Sequence, residues 1–210
     1  AQSSRMNPKQ QMKPDQGTWR TYGITDGLPD RRCEHVIEDK DGYLWISTWG
    51  VGVCRFNGDE FRVYNTKDGL PSVCSLAVLQ DRRDRLWVGT SAGLCLFNGT
   101  GFDRLAGTES MGDASFLTEA SDGRVWVTGG GTLGYIDGDR YCDLIPSYRQ
   151  QHGEDPFQPW PAHGYGIAED SDGGIWFGHQ HGTGGVTRYF GERFQRFGEE
   201  AEFPAGTLMP

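Results

Sequence analysis

Two histidines one residue apart, His179 and His181, carry the strongest hint of chemistry in the chain. In a loop, such a pair can ligate zinc or serve as acid and base, provided a third group such as His163 converges on it. Spacing alone supplies no convergence, so no catalytic residue, metal or cofactor is assigned. A second hint is the D-x-D-G word at Asp39, Asp41 and Gly42, repeated at Asp170, Asp172 and Gly173, which begins like a calcium loop. The later ligands of such a loop are missing, because Trp45 and Trp176 occupy that stretch; Asp and Gly equally suit tight hairpin turns. The turn reading is preferred. A third group is aromatic and basic. Trp49, Phe157 and Trp160 offer rings on which sugars stack, with Arg31, Arg32, His163, His179 and His181 to hydrogen-bond hydroxyls or carboxylates. These residues form the candidate ligand-binding set. The plainer reading of Phe157 and Trp160 is that they fold their own loop back onto the body of the protein.

The elements that must position these residues are set by repetition. LWIST at 44–48, LWVGT at 86–90, VWVTG at 125–129 and IWFGH at 175–179 place tryptophans at 45, 87, 126 and 176, spaced by 42, 39 and 50 residues. A period near 40, rich in β-branched and aromatic residues, is the mark of repeated four-stranded sheets. Each repeat reads as four short strands joined by tight turns, at about 33–64, 74–105, 115–144 and 164–197. Several strands are apolar on consecutive residues, as in sheets covered on both faces. The expected fold is all-β, a β-propeller of four-stranded antiparallel blades, four in this chain, with the four tryptophans as packing core. Residues 19–22 align with 61–64 and are expected to be an outer strand of a preceding blade. Too few residues follow 197 to complete that blade, so the four are expected to belong to a larger ring. Residues 1–18 are then an N-terminal extension and 198–210 a C-terminal tail. Connections from strand two to three, and from one blade to the next, share one side. That side carries Trp49, the loop 179–184 and an insertion at 146–163, and recognition is expected there.

Composition narrows the partners. A net charge of −9 opposes nucleic acid, which requires a basic surface, and anionic lipid for the same reason. No apolar run approaches the roughly 18 residues that a membrane span needs. The five cysteines, Cys33, Cys54, Cys74, Cys95 and Cys142, show no C-x-x-C spacing and are read as small buried apolar residues. They leave the compartment open.

The order DGLP (26–29 and 68–71), an apolar strand ending in Glu/Gln-Asp, then LW(I/V)(S/G)T and FNG, closely resembles the two-component regulator propeller repeat. The resemblance spans about 19–197 and is closest in the first two repeats; the third lacks DGLP and the fourth has an insertion in its place. It implies a non-enzymatic, ligand-sensing module of a bacterial two-component receptor, periplasmic or otherwise extracytoplasmic. The ligand would be a small molecule or oligosaccharide, and the partners further blades or signalling domains of a longer chain. Two alternatives stand beside it. One is a protein-interaction scaffold. The other is an enzyme, because SDGGIWF and GGVTRY also resemble streptogramin lyase repeats.

Overall fold

The computed structural model describes residues 20–152, 164–179 and 185–197, with only the backbone of Gly164, Tyr165 and His179. The expected extension 1–18 and tail 198–210 lie outside the described residues. Two compact units are present, Ala1–Arg104 and Leu105–Pro210.

The first unit contains two blades. Blade one is β1 (Cys33–Glu38), β2 (Leu44–Thr48), β3 (Gly52–Phe56) and β4 (Phe61–Tyr64); blade two is β5 (Ser75–Gln80), β6 (Leu86–Thr90), β7 (Gly93–Phe97) and β8 (Phe102–Arg104). Each is an antiparallel meander in sequence order. The blades pack through a shared core. Trp45 stacks on Tyr64 at 5.5 Å and meets Phe97 edge-on at 4.9 Å, while Tyr64 meets Phe102 at 5.6 Å. Val53, Val78, Val88 and Cys95 fill the rest. Aromatic edges and faces at these separations add to ordinary apolar burial. β6 is buried at every position because neighbours cover both of its faces, and its residues are accordingly apolar or small throughout. β1 differs, with five of its six residues exposed and Val36 at 56%.

The second unit repeats the plan. Blade three is β9 (Phe116–Glu119), β10 (Val125–Gly129), β11 (Thr132–Asp137) and β12 (Arg140–Asp143); blade four is β13 (Gly164–Glu169), β14 (Ile175–His179), β15 (Gly185–Phe190) and β16 (Arg193–Phe197). Trp126, Leu133, Ile175, Phe177 and Phe194 form its core.

Three sequence expectations are revised. The insertion 146–163 begins as part of a helix, α1 (Ile145–His152), which buries Ile145 and Tyr148 in this core. Gln151 presents its amide to the outer strand of blade four, accepting from Phe194 N and donating to Glu192 O, both at 3.0 Å. A side-chain amide thus covers part of an edge that would otherwise be open. Of residues 19–22, those described (20–22) form no strand. Tyr22 instead sets its ring against Phe56 and Phe61, as Tyr64 does against Phe97 and Phe102 one blade on. Among the cysteines only Cys54 and Cys95 are buried; Cys33 is exposed, and none of the five forms a disulfide.

Candidate functional site

The D-x-D-G turns resolve into a structural device. Asp39 Oδ1 accepts from the amides of Asp41 and Tyr43, and its Oδ2 accepts from Trp45 Nε1 at 2.7 Å. Asp81 does the same with Arg83, Arg85 and Trp87, and also takes Arg85 Nε at 2.7 Å. Asp170 holds Asp172, Gly174 and Trp176, with Arg188 Nε at 2.6 Å. One carboxylate therefore caps the turn and satisfies the indole six residues on. The Arg188 guanidinium is the main reason that the Asp170 carboxyl lies well below the ordinary carboxylate range, and the Trp176 indole adds to it. DGLP is also a turn device. Asp68 accepts from Asn65 N, Gly69 takes the left-handed conformation (φ +96°), and Leu70 enters the core.

Above this scaffold, in blades one and two, the loop before the first strand is pinned to the loop between strands two and three. A short polar residue three positions before the strand makes the link. Asp30 accepts from Arg32 N and Gly50 N; Ser72 Oγ accepts from Cys74 N and pairs with Ser91 Oγ. Those amides hold the Asp30 carboxyl below its usual range. Trp49 N donates to Arg32 O at 3.1 Å. The outcome is that two expected site residues meet: the Arg32 guanidinium lies over the Trp49 ring at 4.5 Å, and the ring is 43% exposed. Arg31 is exposed beside them. Val73, 38% exposed, joins this side, where its carbonyl accepts from Gly52 N. Cys33 also lies here. Burial, then the charges of Asp30 and Glu34, push its thiol up, which disfavours the nucleophilic thiolate.

Of the remaining expected residues, only the backbone of His179 is described. His179 ends β14 rather than starting a loop, with its backbone opposite Gly164 and Gly185. Phe157, Trp160, His163 and His181 lie outside the described residues, as does the rest of the insertion beyond His152. Among the described residues, no three His, Cys, Asp or Glu side chains gather as metal ligands.

Sequence reasoning missed a cavity of about 250 Å³ in the second unit, lined by Asp122, Arg124, Trp126, Tyr135, Glu169 and Tyr189 among others. It sits on the side of the acidic turns, whereas the Arg32–Trp49 pair stands on the connecting loops. The signal was present in the repeat, since Ala120 stands where the other three blades have the capping aspartate.

A family model for the two-component regulator propeller matches residues 27–50 and 69–92, each running from DGLP through the second strand. These two segments match the two-component regulator propeller repeat. The chain's architecture, a propeller of four-stranded antiparallel blades, recurs in solved structures. The extracellular domain of a hybrid two-component system from B. thetaiotaomicron superposes with a TM-score of 0.69 at 19% identity, over 86% of this chain and 26% of that one. A second such domain from the same organism gives 0.58 at 19% identity, covering 81% and 25%. A catalytically inactive virginiamycin B lyase from Staphylococcus aureus, solved with quinupristin, gives 0.59 at 16% identity, covering 83% and 59%. The chain thus spans about a quarter of the first two structures. No curated protein gives a significant match.

Proposed function

We propose that this chain is a non-enzymatic ligand-sensing segment of a bacterial two-component receptor, placed outside the cytoplasm, with further blades or signalling domains elsewhere in a longer polypeptide. The reading rests on the regulator propeller repeats together with the Arg32–Trp49 pair. An exposed indole, held by a cation on a loop that is itself pinned by Asp30, is a rigid surface for a sugar ring. The adjacent Arg31 and Arg32 suit hydroxyl or carboxylate groups, so an oligosaccharide fragment, including one with a uronic acid, is the ligand class favoured. Binding would act by shifting the relative population of receptor conformations.

The test is a thermal-shift and glycan-array screen with neutral and acidic oligosaccharides. A ligand should be found whose affinity falls about tenfold or more in Trp49→Ala and in Arg32→Ala, the loss of one good stacking or charged contact. Binding that ignores both substitutions, or no binding across a broad panel, overturns the proposal. The likeness to a lyase supports an enzymatic second reading, which quinupristin turnover by the purified chain would establish.

A further inference from the structure

Blade three keeps the backbone of the capped turn and lacks its carboxylate. Ala120 N donates to Arg124 O at 2.9 Å and Gly123 N to Ala120 O at 3.0 Å, matching Asp39 N to Tyr43 O (2.8 Å) and Gly42 N to Asp39 O (2.9 Å) in blade one. The methyl group of Ala120 offers nothing to accept a hydrogen bond. Trp126, 2% exposed, consequently has a buried indole Nε1 with no partner among the described residues. Such groups are rare and ask for an explanation.

Arg124 is the second donor with no carboxylate at hydrogen-bond distance among the described residues. It stands four residues after Ala120, as Arg85 stands after Asp81. Arg85 gives its Nε to Asp81 at 2.7 Å and lies over the Trp87 ring at 4.8 Å. Arg124 instead lies over Tyr135 at 4.6 Å, and its side chain reaches Asp122 and Asp137 only at 3.6 and 3.7 Å, outside hydrogen-bond range. Both residues line the cavity. In blades two and four the group between the indole and an arginine is a single carboxylate, and in blade one a carboxylate likewise accepts from the indole.

We infer that this cavity between blades three and four binds a small monocarboxylate, whose carboxylate takes the place of the missing aspartate and accepts from Trp126 Nε1 and Arg124. Arg124 turns from Tyr135 toward Trp126 in the bound state, as Arg85 lies in blade two. The walls restrict the group attached to that carboxylate. Tyr135, Tyr189 and Phe190 favour an apolar or aromatic tail, and Asp122, Glu169 and Glu192 oppose negative charge, so that only a single carboxylate held directly by Arg124 is accommodated. Glu169 does not itself fill the gap, because both of its oxygens accept from Ser121, at 2.6 and 2.7 Å. A volume near 250 Å³ falls below the usual range of about 300–1,000 Å³ for drug-sized ligands, so the acid is small. This site stands apart from the sugar-binding reading and needs neither Arg32 nor Trp49.

The experiment monitors the seven tryptophan indole resonances of the ¹⁵N-labelled full chain during titration with acetate, propionate and benzoate, with chloride at matched ionic strength as control. One resonance should move downfield and saturate, with benzoate the tightest of the three. In Ala120→Asp that resonance should already be shifted and should no longer respond. Arg124→Gln should weaken the response by roughly tenfold, the loss of one charge-assisted hydrogen bond. The inference fails if no acid produces a saturable shift, which would leave the cavity to water, or if Ala120→Asp responds like the parent chain. It also fails if Arg124→Gln leaves the affinity unchanged.

Discussion

Replacing Asp81 by alanine tests the physical core of the blade. Asp81 is 4% exposed and accepts four hydrogen bonds: Trp87 Nε1 at 2.8 Å, Arg85 Nε at 2.7 Å, and the amides of Arg83 and Arg85 at 2.9 Å each. Burial opposes its charge, yet the Trp87 indole and the Arg85 amide and guanidinium outweigh that and hold the carboxyl below its usual range. In Asp81→Ala the fully buried Trp87 keeps an indole N–H with no acceptor, costing about 1–3 kcal/mol. The two turn amides lose acceptors worth about 0.5–1.5 kcal/mol each. Arg85 can turn to water and adds little. The expected loss is about 3–5 kcal/mol, a large part of the roughly 5–15 kcal/mol that holds a domain folded. Asp170, with its side chain 25% exposed, should lose only about 1–2 kcal/mol on the same change, since water can replace part of what is removed. Urea unfolding followed by tryptophan fluorescence and circular dichroism measures both. The double variant Asp81→Ala, Trp87→Phe should cost less than the sum of its single changes, because removing the donor cancels the orphan. A loss below about 1 kcal/mol for Asp81→Ala, or strict additivity in the double variant, would refute the reasoning.

Two further outcomes rest on the same geometry. Gly69 and Gly99 share φ +96°, but a Cβ at Gly69 would stand 2.0 Å from Phe102 O, whereas one at Gly99 meets nothing within 4 Å. Gly99→Ala should cost only the left-handed strain of about 1–2 kcal/mol, and Gly69→Ala clearly more; equal melting temperatures would contradict this. The lowered carboxyls of Asp81 and Asp170 contribute stability that is complete above the ordinary Asp value near 3.9 and is lost as pH falls through their lower folded values. Stability should therefore fall with pH from about 4 downward, less steeply in Asp170→Asn, and an unchanged slope in that variant would count against the assignment.

Much of the fold was legible because it repeats. The tryptophan words located β2, β6, β10 and β14, and the D-x-D-G words located the turns before two of them. Those signals are local: strand periodicity, turn chemistry and β-branched runs act over a few residues. Other features depended on partners distant in sequence. The sequence contained Asp39 and Trp45, Asp81 and Trp87, Asp170 and Trp176, always six apart, yet only a hairpin folded back on itself brings the carboxylate to the indole. Arg32 and Trp49 were candidates by type, and their stacking depends on Asp30 bridging two loops. Helix α1 had no repeat to mark it, and its place is set by apolar contacts with blade four and by Gln151 meeting an open edge. Ala120 shows the division most clearly. In the sequence it is one small residue out of register with a repeat. In the folded blade it is a missing acceptor beside a buried N–H, because the cost of an unpaired polar group exists only where water has been excluded.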